Sequence, residues 1–158
     1  MDDTLLESSN DVIQFNKGAV IFTEGEPSTY LYIIKSGEVR IVKKDKDRLT
    51  PITILKERDF LGELSMFSNN PRNATAIATS DTELIMVKKS DIKKVLNKCP
   101  DWVSDIMQTI SSRLRDSDEL LREHKIIDDK YESQNVLSPE EEVICKKAID
   151  DYCKRMGI

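Results

Sequence analysis

The sequence predicts a β-rich core, an antiparallel barrel or sandwich, followed by helices. Three observations carry that reading. Between Val12 and Val87 the apolar residues come in short, β-branched groups about ten residues apart. Gly and Asx turn chemistry separates the groups. After Lys88 the apolar period changes from two to between three and four, the repeat of a helix with one buried face.

The strand groups are, in order, Ala19-Val-Ile-Phe22, Tyr30-Leu-Tyr-Ile-Ile34, Val39-Arg-Ile-Val42, Ile52-Thr-Ile-Leu55, Ala74-Thr-Ala-Ile-Ala78 and Glu83-Leu-Ile-Met-Val87. Breaks fall at Lys17-Gly18, Glu24-Gly-Glu-Pro27, Ser36-Gly37, the charged run Lys43 to Arg48, Arg58-Asp59, Asn69-Asn-Pro71 and Ser80-Asp81. Ser90 can then cap a helix with apolar positions Ile92, Val95 and Leu96, which Cys99-Pro100 stops. A longer helix starts at Asp101. Val103, Ile106, Ile110, Leu114, Ser117, Leu121 and His124 form its seam, Met107 and Leu120 widen it, and Trp102 is expected to pack the helix start onto the barrel. Such a seam suits pairing of two helices, and equally suits packing back onto the barrel. Residues 128–137 are polar and read as a linker. Ser138-Pro-Glu-Glu141 combines a capping box with Pro at the first helical position and opens a last amphipathic helix through Val143, Ile144, Ala148, Ile149, Tyr152 and Met156.

Composition narrows the function classes. A chain of 158 residues with 39% hydrophobic and 34% charged residues reads as one globular domain plus an appendage. Its apolar runs are far shorter than the roughly 20 residues of a membrane helix. Met1 to Asn10 is acidic and lacks the basic end and apolar run of a secretion signal, so a cytoplasmic protein is expected. The 24 basic residues against 29 acidic ones, net −5, argue against a nucleic-acid platform. Cys99, Cys145 and Cys153 form no CxxC pair and there is one histidine, so no metal site and no cofactor is expected. No Ser/His/Asp or Cys/His constellation, Walker loop or paired-metal carboxylate set is present, and no enzyme is read. Asp128-Asp129 and Glu140 to Glu142 read as solvated acids at helix starts.

The informative segment is Phe60-Leu-Gly-Glu-Leu-Ser-Met-Phe67, then Ser68-Asn-Asn-Pro71 and Arg72-Asn-Ala-Thr75. Gly62 lets the backbone turn, and the residues after it can form a short helical turn whose N–H groups cradle an anion. Arg72 arrives across a tight turn and offers a planar fork for two oxygens of a phosphate. A carboxylate at Glu63 would repel a phosphate it faced, so it suits a hydroxyl donor such as a sugar's.

Together with Gly18-Ala-Val-Ile-Phe-Thr-Glu-Gly-Glu26 and Leu31-Tyr-Ile-Ile-Lys-Ser-Gly-Glu-Val39, this segment makes residues 12–90 closely resemble the cyclic-nucleotide-binding domain. That family includes the sensor domain of catabolite activator proteins and the regulatory subunits of cyclic-AMP-dependent kinase. Four of the five glycines lie in the matched segments. The resemblance implies a mainly β fold with α: an antiparallel β-roll or jelly roll, a cupin-like double-stranded barrel, flanked by C-terminal helices. It divides the chain into a cyclic-nucleotide-binding domain at 1–127, with the β-roll at about 12–89 and closing helices at about 90–127, and a linker and short helix at 128–158.

Residue by residue, the resemblance implies a phosphate-binding cassette formed from Phe60, Leu61, Gly62, Glu63, Leu64, Ser65, Pro71, Arg72, Asn73 and Ala74. Glu63 would take the ribose 2′-hydroxyl and Arg72 an exocyclic phosphate oxygen. N–H groups near Leu64, Ser65 and Asn73 would complete the cradle. Ile41 and Ile52 would line the base side, and Arg113, Ser117 and Asp118 on the long helix would approach the base. Asn73 stands where the family usually has Ala, Ser or Thr. The implied function is a stand-alone cyclic-nucleotide receptor, for cyclic AMP foremost with cyclic GMP as alternative, signalling through its C-terminal helices; the alternative readings are a ligand-independent interaction scaffold, the regulatory subunit of a separate effector chain and, last, a truncated transcription regulator. A homodimer through the long helix, a protein effector, and no nucleic acid or membrane partner complete the expectation.

Overall fold

The structure, a computed structural model, describes residues 11–68, 70–123 and 136–158. Eight strands are present among the described residues: β1 (Val12–Phe15), β2 (Val20–Phe22), β3 (Tyr30–Ser36), β4 (Val39–Asp45), β5 (Arg48–Leu55), β6 (Phe60–Leu61), β7 (Thr75–Ala78) and β8 (Thr82–Lys88). The helices among the described residues are α1 (Glu63–Ser68), α2 (Lys89–Leu96), α3 (Asp101–Glu123) and α4 (Pro139–Met156). The strands pair into two antiparallel sheets, ordered β1-β8-β3-β6 and β2-β7-β4-β5. This is the mainly β roll with C-terminal helices that the resemblance implies.

Alternation along the strands decides most of the side chains that meet between the sheets, and in β2, where the pairing with β7 shifts register between Val20 and Phe22, the neighbours Ile21 and Phe22 both join them. Ile21, Phe22, Val39 and Ala76 of one sheet meet Ile34, Leu61 and Leu84 of the other, with Ile13, Phe15, Tyr32, Ile41 and Leu55 at the margin. Full burial of an aliphatic side chain of this kind contributes about 1.5–3 kcal/mol. Between β3 and β4, Gly37 has φ +93°, and a Cβ there would stand 2.5 Å from the Asp81 carbonyl oxygen, so the turn admits only glycine without rearrangement.

Several expectations are corrected. The charged run Lys43 to Arg48 is no loop: β4 and β5 pair through it to Asp45↔Arg48, turning at Lys46 with φ 55°. β5 is an edge strand, where charges and Pro51 are tolerated. Ser90 is not a cap. β8 runs straight into α2, whose N-cap is Lys88 without a side-chain cap bond, leaving Ser90 inside the helix. Trp102 does not pack onto the barrel; it is 62% exposed. It shares an exposed stripe on α3 with Ile106, Ile110 and Leu114, while Val103 and Met107 are half-buried and Ser111 is buried. His124 and residues 128–135 lie outside the described residues.

The last helix starts as its sequence demands. Ser138 Oγ accepts the Glu141 N–H at 3.1 Å and the Glu141 carboxylate accepts the Ser138 N–H at 2.9 Å, a complete capping box. Its buried face lies on the outer side of the second sheet. Leu137, Cys145, Ala148, Ile149 and Tyr152 cover Val20, Val42, Leu49 and Ile77, whereas Val143, Ile144 and Met156 are exposed. Polar contacts align the helix with the edge strand. Glu142 accepts the Leu49 N–H at 3.0 Å, Lys146 pairs with Glu142 at 2.9 Å and donates to the Asp47 carbonyl, and Arg40 stands 3.6 Å from Glu141. Exposed ion pairs contribute little, so the apolar cluster decides the docking.

The Leu49 N–H first, and Lys146 second, hold the Glu142 carboxyl below its usual range. A depressed carboxyl stabilises the fold above the unfolded value of about 4.3, and that contribution is lost as pH falls through the folded value. The melting temperature, followed by circular dichroism, is expected to fall between about pH 5 and about pH 3, and to fall less in Glu142→Gln.

Candidate functional site

The cassette lies where β6 ends and the chain turns into α1. Gly62 takes φ +80° at this corner, the left-handed region that a side chain disfavours. The helical ladder opens with the Met66 N–H on the Gly62 carbonyl at 3.3 Å, so the amides of Glu63, Leu64 and Ser65 lie outside that ladder at the positive end of the turn. Glu63 is exposed at the first position of α1, Ser65 is fully buried, Phe60 is exposed and Leu61 is buried in the core.

Arg72 is brought to this corner by backbone pairing with the β2–β3 loop. Its N–H donates to the Glu26 carbonyl at 2.9 Å, and its own carbonyl accepts the Gly25 N–H at 2.8 Å. The side chain then runs inward and is only 4% exposed. Nη1 donates to the Gly62 carbonyl at 3.2 Å and reaches Ser65 Oγ at 3.4 Å, and Nη2 donates to the Tyr30 carbonyl at 2.5 Å. The guanidinium carbon lies 4.1 Å from the Phe22 ring centroid and 5.6 Å from that of Tyr32, which are themselves stacked. Nε has no acceptor among the described residues. Burial pulls the guanidinium below its usual range, while Tyr32, Glu26 and Glu63 push it back up. Burial likewise pushes the Tyr32 phenol up.

The arrangement is a charged planar fork held between carbonyls and aromatic faces beside the first turn of a helix, and its chemistry suits an anion. It also gives Gly62 a second reason to be glycine. A Cβ at residue 62 would stand 1.6 Å from Nη1 of Arg72.

The expected site residues fall into two groups. Hydrogen bonds bring Gly62, Ser65 and Arg72 together at one corner, while Leu61 and Ala74 are buried, Leu64 and Asn73 half-buried, and Glu63 and Pro71 exposed. Ile41 packs against the interior cluster. Ile52 is the unpaired residue at the β4–β5 bulge and is 45% exposed. Arg113 and Ser117 are exposed on α3, where Ser117 Oγ donates to the Arg113 carbonyl at 2.8 Å, and no described hydrogen bond or ion pair joins either to the cassette. The Asp118 side chain lies outside the described set. Phe22, Tyr32 and Glu26 were not anticipated. The acid of the Glu24-Gly-Glu-Pro27 turn was the available signal for the last of these.

The chain belongs to the cyclic nucleotide-binding domain family, whose model matches residues 12–99, more than half of its length. Among curated relatives, the CRP-like cAMP-activated global transcriptional regulator of Mycobacterium tuberculosis is 31% identical over 104 residues, 65% of this chain and 46% of the regulator. A cAMP-dependent protein kinase regulatory subunit of Aspergillus fumigatus is 32% identical over 98 residues, 62% of this chain and 22% of the subunit. This chain therefore matches less than half the length of either relative. The cAMP-bound form of the EAL enzyme Bd1971 superimposes with a TM-score of 0.66 at 28% identity, covering 78% of this chain and 32% of that one. The cGMP-bound form of that enzyme gives 0.62 at 30% identity, over 66% and 28%. The domain is regulatory and binds cyclic nucleotides, and it occurs both in regulators and in an enzyme. Among the described residues there is no cluster suited to a metal ion and no helix long and apolar enough to cross a membrane.

Gly62→Ala forces either the left-handed φ or the Arg72 side chain to yield. A loss of about 1–3 kcal/mol in urea denaturation is expected, with a parallel rise in proteolytic cleavage of the 62–72 segment.

Proposed function

We propose that this chain is a cyclic-nucleotide receptor, for cyclic AMP foremost, that signals through its C-terminal helices. The observation that carries the reading is the buried Arg72 guanidinium at the Gly62 corner, with an Nε that has no described acceptor. A singly charged cyclic phosphate suits a guanidinium whose own counter-charges, Glu26 and Glu63, act through space. In this reading Arg72 takes a phosphate oxygen, amides near Leu64, Ser65 and Asn73 take the others, and the rim carboxylate of Glu63 accepts the ribose 2′-hydroxyl. Ile41 and Ile52 face the base side. Arg113, Ser117 and Asp118 reach the nucleotide only if α3 changes pose, so ligand binding and helix position are one equilibrium.

The receptor acts as a binding module without catalysis of its own, in the cytoplasm, with no nucleic-acid or membrane partner. Trp102, Ile106, Ile110 and Leu114 form an apolar stripe on α3 that suits a homodimer. Cyclic GMP is the second ligand to weigh, because the cGMP-bound relative has the same fold. A role as the regulatory subunit of a separate effector chain fits the same site.

Calorimetric titration with cyclic AMP, cyclic GMP and AMP tests the reading. Cyclic AMP is expected to bind more tightly than the other two, and absence of binding by both cyclic nucleotides overturns it. Arg72→Ala is expected to weaken cyclic AMP by about 30- to 1,000-fold, the equivalent of about 2–4 kcal/mol. Glu63→Ala should make 2′-deoxy cyclic AMP bind nearly as well as cyclic AMP. Light scattering of the wild type and of Ile110→Glu reads the dimer, which the charged variant should dissolve.

A further inference from the structure

Besides its apolar cluster and its polar contacts at the β4–β5 edge, α4 makes one contact that reaches the β2–β3 loop. The Tyr152 ring lies in the cluster of Val20, Val42, Leu49 and Ile77, and its hydroxyl emerges at the Glu26 carboxylate, 3.1 Å from Oε2 and 3.3 Å from Oε1. The Ile21 carbonyl is a further acceptor at 3.5 Å. Burial first, and the Glu26 charge second, push the Tyr152 phenol up, so it remains a proton donor throughout the neutral range. A phenol donating to a carboxylate is a charge-assisted hydrogen bond, stronger than a neutral one.

Glu26 is placed to pass that contact on. Its Oε2 also accepts the Thr23 N–H at 3.0 Å and closes the turn from Thr23 to Glu26, whose backbone holds a further bond from the Glu26 N–H to the Thr23 carbonyl at 3.2 Å. The same turn carries both backbone bonds to Arg72, from Arg72 N–H to Glu26 and from Gly25 N–H to Arg72. One carboxylate thus joins the C-terminal helix to the strip of backbone from which the Arg72 guanidinium is aimed.

We infer that Tyr152 and Glu26 are positioning residues for the cassette, and that docking of α4 on the second sheet is coupled to occupancy of the nucleotide site. The inference rests on the cyclic-nucleotide reading above. The physical reason is preorganisation. A guanidinium that must leave some of its carbonyl contacts for a phosphate keeps its aim only if its backbone is held, and ordering that backbone at the moment of binding lowers affinity. Without the Tyr152 hydroxyl, the Glu26 carboxylate loses a donor and the turn loses its anchor on the helix. Coupling is reciprocal, so a ligand that fixes Arg72 must hold α4 more firmly by the same factor. The C-terminal helix would then report occupancy from the face of the roll opposite its interior core, a second output separate from α3.

The test uses the full chain and calorimetric titration with cyclic AMP. Tyr152→Phe keeps the ring in its apolar cluster, and Glu26→Gln keeps the side-chain length. Each is expected to weaken cyclic AMP by about three- to tenfold, the range of one hydrogen bond, with a melting temperature close to that of the wild type. The double variant should be no weaker than the weaker single one, because both remove one interaction. Amide hydrogen exchange in residues 139–156 should slow on addition of cyclic AMP in the wild type and not in Tyr152→Phe. Wild type that binds while Tyr152→Phe binds equally well, or singles whose effects simply add, overturns the coupling. So does exchange in α4 that ignores the ligand. A wild type that gives no binding heat with cyclic AMP or cyclic GMP overturns the nucleotide reading first, and is recognised before any variant is made.

Discussion

The roll is arranged around a guanidinium that has been taken out of water. Removing a unit charge from solvent costs on the order of several kcal/mol unless the surroundings replace the lost hydration. Around Arg72 the replacement comes from the Gly62 and Tyr30 carbonyls, the Ser65 hydroxyl and the Phe22 and Tyr32 rings. None of these is a carboxylate. The negative charges that favour the guanidinium, Glu26 and Glu63, act through space. In the proposed reading, this surrounding of neutral groups leaves the cation available to an anionic ligand.

The surrounding architecture follows from that constraint. Strand β2 must end in an aromatic so that a ring lies under the guanidinium. The β2–β3 loop must return alongside residue 72 to supply its backbone partners, and α1 must begin at a residue without a Cβ. Each requirement is met by one side chain or one absence: Phe22, the Gly25-Glu26 pair, and Gly62. The core between the sheets holds these elements in register, because a slip of one residue along β2 or β7 would turn Phe22 or Ala76 to the wrong face.

Much of this was legible in the sequence, for reasons that can be named. Short β-branched groups and Gly or Asx turns located the strands because pleated geometry and turn dihedrals act on a few adjacent residues. The Ser138 capping box was legible for the same reason, since cap and partner lie three residues apart. What failed needed knowledge of a partner far along the chain. The Ala19 to Phe22 group announces a strand, but not that its last ring supports Arg72, fifty residues on. The period of α3 marks an apolar stripe without saying which neighbour covers it, so Trp102 was expected on the barrel and is found exposed. In α4 two stripes compete, one through Val143 and Ile144 and one through Cys145, Ala148, Ile149 and Tyr152, and only the sheet surface decides between them. Ser90 has good cap chemistry, but β8 leaves no loop in which a cap could sit.

The two long helices therefore have opposite standing in the molecule. α3 lies against α1 and leaves Trp102, Ile106, Ile110 and Leu114 in solvent, so a large part of its apolar surface gains nothing from the fold of a single chain. α4 buries its apolar face on the chain's own sheet and adds hydrogen bonds to the β5 edge and to Glu26. A helix with uncommitted apolar surface is free to change its neighbour when the energy of its other contacts changes by a few kcal/mol, whereas a committed helix can only tighten or loosen in place. In the proposed reading, a shift of α3 and a stiffening of α4 would be different kinds of response to a ligand at Arg72. They need not occur together, because the first would pass through α1, against which α3 lies, and the second through the Thr23 to Glu26 turn.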